Sequence, residues 1–381
     1  MKNKKICIFS AQYLPHMGGV ENYTFHLAET LVEKGGEVTV VASNVDHVKS
    51  YETMNGIHVY RVPCINLLNG RFPVLKPTGE FWKIHQILKQ KNFDLIIVNT
   101  RFYIHSLYGV LFGRKKNIHT IVVEHGTSHM TMHNKLLDLV ENIVEHTITM
   151  IEKLFCKEYY GVSEACLDWL EHFHIQGKGV LYNAINLEQV EAQKLTDDGK
   201  KRIRETYQIP EDGTVITFTG RLLKEKGVVT LVQAVQTIVE KNKNVFLLIA
   251  GDGDEMEFVQ KASCHNIISL GRITSQEVID LLNESDIFCL PSVSEGMPTS
   301  VLEAAACKNY VITTEKGGAK ELIINRAYGT ILQNRDFKSV LEALEAAIAD
   351  KEMRMKATEL TYERLKKGFT WKSVADKVLE L

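Results

Sequence analysis

The sequence predicts an α/β protein of two doubly wound domains, each a parallel sheet covered by helices on both faces. Short β-branched runs alternate with helical patterns along the whole chain, and this alternation is typical of parallel sheets. A chain of 381 residues also exceeds the usual size of one hydrophobic core. In addition, 13 of the 14 histidines precede residue 175, so the two halves differ in composition.

Four predicted strands lie in each half. Those of the first half are Ile6–Phe9, Val38–Ala42, Leu95–Val98 and Ile121–Val123. Those of the second half are Val215–Phe218, Val245–Ala250, Ile287–Leu290 and Val311–Thr313. The polar stretch Glu188–Lys201 is typical of a linker, so we predict an N-terminal domain of residues 1–187 and a C-terminal domain of residues 188–367. Apolar spacing predicts a terminal helix over 368–381, which packs either on the second domain or back on the first.

Composition excludes several classes of protein. The net charge of −2 gives no sign of a polyanion-binding surface, so no nucleic-acid partner is predicted. The seven cysteines are scattered and form no C-x-x-C pair, which is typical of reduced thiols in a cytosolic protein. The amino terminus lacks the pattern of a signal peptide, and no segment approaches the roughly 20 apolar residues of a membrane span. We therefore expect a cytoplasmic protein, either soluble or lying on a membrane surface.

Two carboxylates in the segment Ser294–Glu303 carry the most information. Glu295 lies in a Gly/Pro turn after a buried strand, and Glu303 lies in the helix that follows. Pro298 suits the first helical turn because its missing N–H would be unbonded there. The amides of Thr299, Ser300 and Val301 then point out of the helix start, where a phosphate could bind. Hydroxyl-binding carboxylates beside an anion site suggest a nucleotide-sugar ligand.

Two loops carry further anion signals. Gly18 and Gly19 follow the first strand, where paired glycines let backbone amides approach an anion, although a tight turn alone explains them equally. Arg221 and Lys226 lie in the loop after the first strand of the second half and could converge on one cluster of phosphate oxygens. An ordinary basic surface is the alternative for this loop.

Two patterns suggest metal binding, and we interpret neither as a metal site. Asp252 and Asp254 form a D-x-D, but Asp and Gly also simply make turns. His125, His129 and His133 are spaced four residues apart, but the intervening turn argues against one regular helix through all three. A histidine at a strand end, such as His125, suits hydrogen bonding to a substrate hydroxyl or to a developing charge.

The segment Leu136–Phe155 has apolar residues at helical spacing, and Phe81–Lys83 is aromatic and basic. Core packing is the default interpretation of both. A membrane-surface helix is the alternative.

The order of these motifs resembles the retaining glycosyltransferases of family 4, which have the GT-B fold. The resemblance rests on the Gly-Gly loop, His125-Gly126, Val162-Ser163, Asn183–Asn186, the Arg/Lys loop and the Glu-x7-Glu motif, and it runs from residue 5 to the Trp371 helix. It implies two Rossmann-like domains facing across a cleft, with the terminal helix crossing back to the N-terminal domain. The donor would bind mainly to the C-terminal domain and the acceptor mainly to the N-terminal domain.

The resemblance also implies roles for individual residues. Gly18 and Gly19 would lie at the donor diphosphate, which Arg221 and Lys226 would neutralise in place of a metal. Glu303 would bind the ribose, Glu295 would face the transferred sugar, and His125 would contact that sugar from the opposite wall. The remaining predicted donor contacts are Gly296, Met297 and Thr299 at the sugar, Ser300, Val301 and Leu302 at the phosphates, and Arg272 in the base-binding loop.

The expected reaction is transfer from a UDP- or GDP-sugar to a saccharide or lipid-linked acceptor, in cell-envelope polysaccharide or glycolipid synthesis, with no cofactor and no metal. Front-face attack without a covalent nucleophile is expected for retention. Membrane contact, if made, would place the N-terminal domain on the inner face of the cytoplasmic membrane. A nucleotide-sugar epimerase and a silent nucleotide-sugar-binding protein are the alternatives. Met297-Pro298 replaces the Phe-Gly of many family members, which leaves the transferred sugar open.

Overall fold

The computed structural model describes residues 4–16, 18–67, 72–130, 135–193, 197–293, 297–315 and 317–381. The chain divides into two compact units. The first is Met1–Asn183 with Trp371–Leu381, and the second is Ala184–Thr370. The boundaries predicted from the sequence were residues 187 and 368.

The strands of the described residues belong to two large parallel sheets and one small hairpin. In chain order they are β1 (Lys5–Ser10), β2 (Glu37–Ser43), β3 (Tyr51–Met54), β4 (Ile57–Val62), β5 (Cys64–Leu67), β6 (Phe72–Leu75), β7 (Leu95–Asn99), β8 (His119–Glu124), β9 (Tyr159–Gly161), β10 (Gly179–Val180), β11 (Thr214–Thr219), β12 (Val245–Ala250), β13 (Ile267–Gly271), β14 (Ile287–Leu290), β15 (Tyr310–Thr314) and β16 (Thr330–Leu332). The central strands are continuous apolar runs because helices cover both faces of each sheet.

Helices connect these strands. They are α1 (Gly19–Glu33), α2 (Gly79–Gln90), α3 (Ile104–Lys116), α4 (Lys135–Phe155), α5 (Glu164–Glu171), α6 (Leu187–Ala192), α7 (Asp197–Thr206), α8 (Val228–Lys241), α9 (Met256–Ala262), α10 (Ser275–Asn283), α11 (Thr299–Ala306), α12 (Ala319–Leu322), α13 (Phe337–Ala349), α14 (Lys351–Gly368) and α15 (Trp371–Glu380). Several begin at side-chain caps. Thr78 caps α2, Ser163 caps α5, and Thr274 with Glu277 forms a capping box on α10.

Each sheet reverses its winding direction at its first strand. In the first unit the strand order is β10-β9-β8-β7-β1-β2-β4-β3, and only the β3–β4 pair of this sheet is antiparallel. In the second unit the order is β13-β12-β11-β14-β15-β16, and all its pairs are parallel. The reversal points therefore lie between β1 and β7 and between β11 and β14. Ligands of doubly wound sheets bind outside the carboxyl ends of the strands at such points.

The terminal helix α15 packs on α1 of the first unit. Trp371 meets Tyr23 edge-on with ring centroids 5.2 Å apart. Lys34 forms an ion pair with Asp376 at 2.8 Å. The alternative in which this helix belongs to the second domain therefore does not describe the structure.

Helix α4 exposes many of its apolar side chains and buries several of its carboxylates, which is the opposite of an ordinary core helix. Leu136 and Leu154 are each 69% exposed, and Val140 is 51% exposed. Glu145 and Glu152, by contrast, are almost completely buried. Core packing as the interpretation of Leu136–Phe155 is therefore wrong for Leu136, Val140 and Leu154, whereas Ile148 is buried as expected.

Core packing, the default interpretation of the aromatic segment Phe81–Lys83, is confirmed in part. Phe81 is buried in the core of the first unit, whereas Trp82 is half exposed. Among the helices of the described residues, none is both long and apolar enough to cross a membrane.

Candidate active site

The loop that carries Arg221 rests on the turn after β12. Leu222 N donates to Asp252 O at 2.8 Å, and Glu255 N donates to Leu222 O at 2.8 Å. Gly251 has φ +150°, and a Cβ there would lie 1.8 Å from Gly220 O. Only glycine allows the two backbones to approach this closely. The D-x-D lies in this turn, which positions the Arg221 loop.

Arg221 is an exposed cation at the carboxyl edge of the second sheet. It follows β11 directly at the reversal point of the second sheet, and its side chain is exposed. Among the described residues it has no ion pair or side-chain hydrogen bond. Lys226 lies on the same loop, at the end of the single 3-10 turn Lys224–Lys226, and is half-buried.

A backbone hydrogen bond joins this loop to the segment after β14. Val293 N donates to Glu225 O at 2.8 Å. The two loops that flank the reversal point therefore lie side by side. Ser294, Glu295 and Gly296 come next in the chain and lie outside the described residues, so the predicted roles of Glu295 and Gly296 stay predictions.

The start of α11 differs from the prediction by one residue. Pro298 is the N-cap residue, and its carbonyl accepts from Val301 N at 3.2 Å and from Leu302 N at 3.4 Å. The side chains of Val301 and Leu302 are completely buried. The expectation that the Val301 amide is open to a phosphate is therefore wrong, whereas the predicted approach of Val301 and Leu302 to the phosphates stays a prediction. In the described part of the chain, the amides that this helix start leaves open are those of Thr299 and Ser300.

Glu303 lies one turn into α11 and is half-buried. Burial raises the pKa of its carboxyl group from 4.5 to about 7. No hydrogen bond or ion pair to this carboxyl group occurs within the described residues. A desolvated acceptor without a partner suits a ligand that brings its own hydroxyl donors.

Two other predicted donor contacts have contrasting surroundings. Arg272 follows β13, at the same carboxyl edge as Arg221, and is exposed. Met297, next to the N-cap of α11, is only 5% exposed. Arg272 is therefore open to a ligand, whereas Met297 contributes mainly to the wall behind the helix start.

In the first unit, an acidic residue shares the start of α1 with the glycine pair. Gly18 is the N-cap residue and Gly19 the first helical residue. A Cβ on Gly18 would lie 2.3 Å from Oε2 of Glu21. Glu21 is only 6% exposed, and burial raises its pKa. The anion position expected at Gly18 and Gly19 therefore has a carboxyl group as its neighbour, which the sequence pattern alone did not reveal.

His125 is held as a neutral ring. Its Nε2 lies 3.2 Å from Asn99 Oδ1, and Asn99 Nδ2 donates to Thr24 Oγ1 at 2.7 Å. Because the amide oxygen faces the ring, Nε2 carries the proton and Nδ1 is the acceptor. Burial lowers the pKa of His125 to about 3. His125 can therefore accept a hydrogen bond from a hydroxyl but cannot supply a positive charge.

Asn99, the partner of His125, is a candidate site residue that the sequence motifs did not indicate. It ends the apolar run of β7, at the reversal point between β1 and β7, and is completely buried. A polar residue that closes a buried strand was a usable signal. Thr24, which lies inside α1, gave no comparable signal.

An ion-pair network fixes the loop that begins with His125. Oε1 of Glu124 accepts from the amides of His125 at 2.9 Å and of Gly126 at 2.8 Å. Its Oε2 lies 2.6 Å from Nε of Arg101, and Nη2 of Arg101 lies 2.6 Å from Oε1 of Glu145. Arg101 is completely buried and lies over the Phe173 ring, with Cζ 3.6 Å from the ring centroid. This network orients His125 through the backbone.

Both halves of the chain match family models. Residues 17–189 match the model of Glycosyltransferase Family 4, and residues 199–364 match the model of Glycosyl transferases group 1. The chain belongs to glycosyltransferase family 4. It is therefore a glycosyltransferase, as the resemblance implied.

Named relatives span nearly the whole glycosyltransferase. The GPI3 subunit of phosphatidylinositol N-acetylglucosaminyltransferase from Saccharomyces cerevisiae is 24% identical over 97% of this chain and 80% of that protein. The capsular polysaccharide biosynthesis glycosyltransferase CapM from Staphylococcus aureus is 25% identical over 93% of this chain and 90% of that protein.

Solved structures confirm the predicted fold. A glycosyltransferase from Rickettsia africae has a TM-score of 0.75 at 19% identity and covers 100% of this chain and 98% of its own. Anabaena HepE, solved in complex with UDP, has a TM-score of 0.75 at 16% identity and covers 99% of this chain and 98% of its own. The family-4 glycosyltransferase therefore has the GT-B fold, built from two Rossmann-like doubly wound units.

Proposed function

We propose that this glycosyltransferase is a retaining, metal-independent enzyme that moves a sugar from a UDP- or GDP-sugar to a saccharide or lipid-linked acceptor. Its place would be in the synthesis of cell-envelope polysaccharide or glycolipid. The proposal rests mainly on two side chains that lie near the reversal point between β11 and β14. Among the described residues, the guanidinium of Arg221 has no partner and the desolvated carboxyl group of Glu303 has no donor.

Arg221 and Glu303 suit the two parts of a nucleoside diphosphate, its diphosphate and its ribose. Arg221 and Lys226, with the open amides of Thr299 and Ser300, would stabilise the diphosphate as it leaves. Glu303 would accept from the ribose hydroxyls. The fixed cations take the role that a divalent ion has in other glycosyltransferases, which supports transfer without a metal at the diphosphate.

The same arrangement supports retention by front-face attack. Departure of the diphosphate leaves an oxocarbenium-like sugar, and an oxygen of the leaving diphosphate can take the acceptor proton on the same face. His125, as a neutral acceptor, would hold a sugar hydroxyl and would take no part in proton transfer. UDP in Anabaena HepE and the lipid and capsule relatives support the donor and acceptor classes proposed here.

Replacing Glu303 with Gln tests the proposal. We expect wild type to transfer a sugar from at least one UDP- or GDP-sugar, with the product in the anomeric configuration of the donor. Glu303→Gln should weaken donor binding about 10- to 100-fold, because hydrogen bonds to a charged acceptor contribute about 1.5–3 kcal/mol. The exposed Glu352→Gln on α14 is the matched control. Titration of the nucleotide and of the whole donor measures the effect.

The pH profile of the same variant gives a second measurement. The charged form of Glu303 is the better acceptor, so donor affinity should be full above pH 7 and fall as pH drops through about 7. In Glu303→Gln, donor affinity should no longer fall as the pH drops through about 7. A wild-type protein that changes the donor without any acceptor would indicate the epimerase. One that binds the donor with neither transfer nor hydrolysis would indicate the silent binding protein. Equal donor affinity of wild type and Glu303→Gln would contradict the assignment of Glu303.

We also propose that the glycosyltransferase contacts the inner face of the cytoplasmic membrane through α4. The apolar face of α4 comprises Leu136, Leu139, Val140, Ile143, Met150 and Leu154, each more than 50% exposed. Its residues lie one, three, four or seven positions apart, which keeps them on one side of the helix, and they span about 27 Å of helix axis, which suits burial in a lipid interface.

Vesicle flotation checks this contact. Wild type should float with phosphatidylcholine–phosphatidylglycerol vesicles, and Ile143→Glu with Met150→Glu should stay at the bottom because charges would enter the acyl region. Met355→Glu on α14 is the control, since Met355 is 63% exposed but lies outside this face. Flotation that is equal for wild type and the double variant would remove α4 as the contact.

A further inference from the structure

Three histidines meet on the surface of the first unit. His129 lies in the loop after β8, His146 on α4, and His172 at the C-cap of α5. Their ligand nitrogens all lie within 4.8 Å of one another. His146 and His172 are exposed and His129 is half-buried, so an ion in solution can reach all three.

The spacing of two of these nitrogens matches a metal site. Nε2 of His146 and Nε2 of His172 lie 3.4 Å apart. Two nitrogens bound to one tetrahedral zinc ion at about 2.05 Å are about 3.3 Å apart. A direct hydrogen bond would require one ring to donate across a long distance, whereas an ion between them uses a lone pair of each.

The third histidine has the outer partner that metal-bound histidines usually have. Nδ1 of His129 lies 2.6 Å from Oε2 of Glu145. A carboxylate on one ring nitrogen fixes the tautomer and leaves the other nitrogen as a more basic ligand. Glu145 is in turn held by Arg101, so its position does not depend on an ion.

Packing also holds the rings in place. His172 stacks on Trp169 with ring centroids 4.8 Å apart and planes 4° apart, and His129 meets Trp169 edge-on at 4.8 Å. Rings that are already oriented lose little freedom when they bind an ion.

The surrounding charge favours a cation. Glu124, Glu141, Glu145 and Glu152 are all at most 8% exposed, and the buried guanidinium of Arg101 pairs with Glu124 and Glu145. Both oxygens of Glu141 are buried and without a hydrogen bond among the described residues. A divalent ion beside this cluster would offset its negative charge.

We propose that His129, His146 and His172 form a tris-imidazole site for a divalent transition metal, with zinc as the preferred ion. Three imidazoles leave a fourth tetrahedral position for water. The ion would connect the loop after β8 to α4 and α5, and so fasten the loop that begins with His125. This role is separate from the donor diphosphate, where no metal is proposed.

Metal titration tests the site in protein without a polyhistidine tag. Chelator-stripped protein, dialysed against Zn²⁺, should take up about one ion per chain. Co²⁺ in its place should give the visible absorption bands of a tetrahedral ion. His146→Ala and His172→Ala should each weaken binding at least about tenfold, the size that loss of even an outer partner produces. His174→Asn is the matched control, because His174 is exposed, lies two residues from His172 and has a φ of +54° that Asn tolerates.

Three results would overturn the proposal. Wild type could take up no stoichiometric Zn²⁺ or Co²⁺. Both alanine variants could bind as tightly as wild type while their far-ultraviolet circular dichroism confirms that they are folded. Finally, binding could survive in His172→Ala but disappear in Glu141→Gln, which would move the ion to the neighbouring group of His129, Glu141 and Glu145.

Discussion

Arg221→Ala is expected to lower kcat by about 100- to 1000-fold, with a smaller change in donor affinity. Removing one preorganised donor of positive charge from a developing anion costs about 2.7–4 kcal/mol of barrier. Arg221 is exposed, so its loss leaves no buried group without a partner and should not change the free energy of unfolding appreciably. Steady-state kinetics with the best donor, together with a denaturant titration, separate these two quantities.

Lys224→Ala is the control for this variant. Lys224 is also cationic and lies on the same loop, but it is exposed on the 3-10 turn, and sequence analysis predicts no donor contact for it. Its rate should stay close to that of wild type. If Arg221→Ala and Lys224→Ala slowed transfer equally, the loop would act through general charge and Arg221 would not be a catalytic residue.

Arg101→Met is expected to lower the free energy of unfolding by about 3–5 kcal/mol at neutral pH. The substitution leaves Glu124 and Glu145 buried without their cation, and breaking a buried ion pair on one side has a cost of this size. The loss should shrink as pH falls, because protonation of the Glu124 carboxyl group removes part of the unpaired charge. Burial raises the pKa of Glu124, and the charge of Arg101 opposes part of that increase. Without Arg101, the Glu124 carboxyl group should therefore be protonated at a higher pH than in wild type.

Chemical denaturation of wild type, Arg101→Met and Arg114→Met checks this expectation. Arg114 is an exposed arginine on α3, and its replacement should change the unfolding free energy by no more than about 0.5 kcal/mol. Adding Glu124→Gln to Arg101→Met should recover part of the loss. A loss for Arg101→Met that is independent of pH would mean that packing against Phe173, and not charge, sets the effect.

The architecture was predictable because central strands of parallel sheets are apolar on both sides. Val245–Ala250 was predicted as a strand and is β12 with the same bounds. Short and peripheral strands were not predicted. β9 and β10 have only three and two residues, too few for any periodic pattern to identify them.

The donor half of the site was predictable in part. Arg221 and Glu303 were singled out because turn residues and charges follow strands in a fixed order along the chain, and their roles stay predictions. The engagement of the Val301 and Leu302 amides was missed, because it depends on whether Pro298 is the N-cap or the first helical residue. A single-residue shift of that kind leaves no trace in composition.

The first unit was less predictable, because its polar groups pair across long distances in the sequence. Arg101 and Glu145 are far apart in the chain, and neither lies in a recognisable motif. For α4, the pattern gave the period of a helix correctly but not which face is buried. A helical period is the same whether the apolar side faces the core or the surroundings.

The membership of α15 in the first unit has a consequence for the order in which the protein folds. All residues of the second unit are contiguous, whereas the first unit needs a helix that is synthesised after the whole of the second. Domains usually complete in the order of synthesis. Here the second unit can complete its fold first. The ring of Tyr23 lacks its contact with Trp371 until the last residues of the chain have been synthesised. During translation the nascent first unit is therefore the half that would benefit from a chaperone.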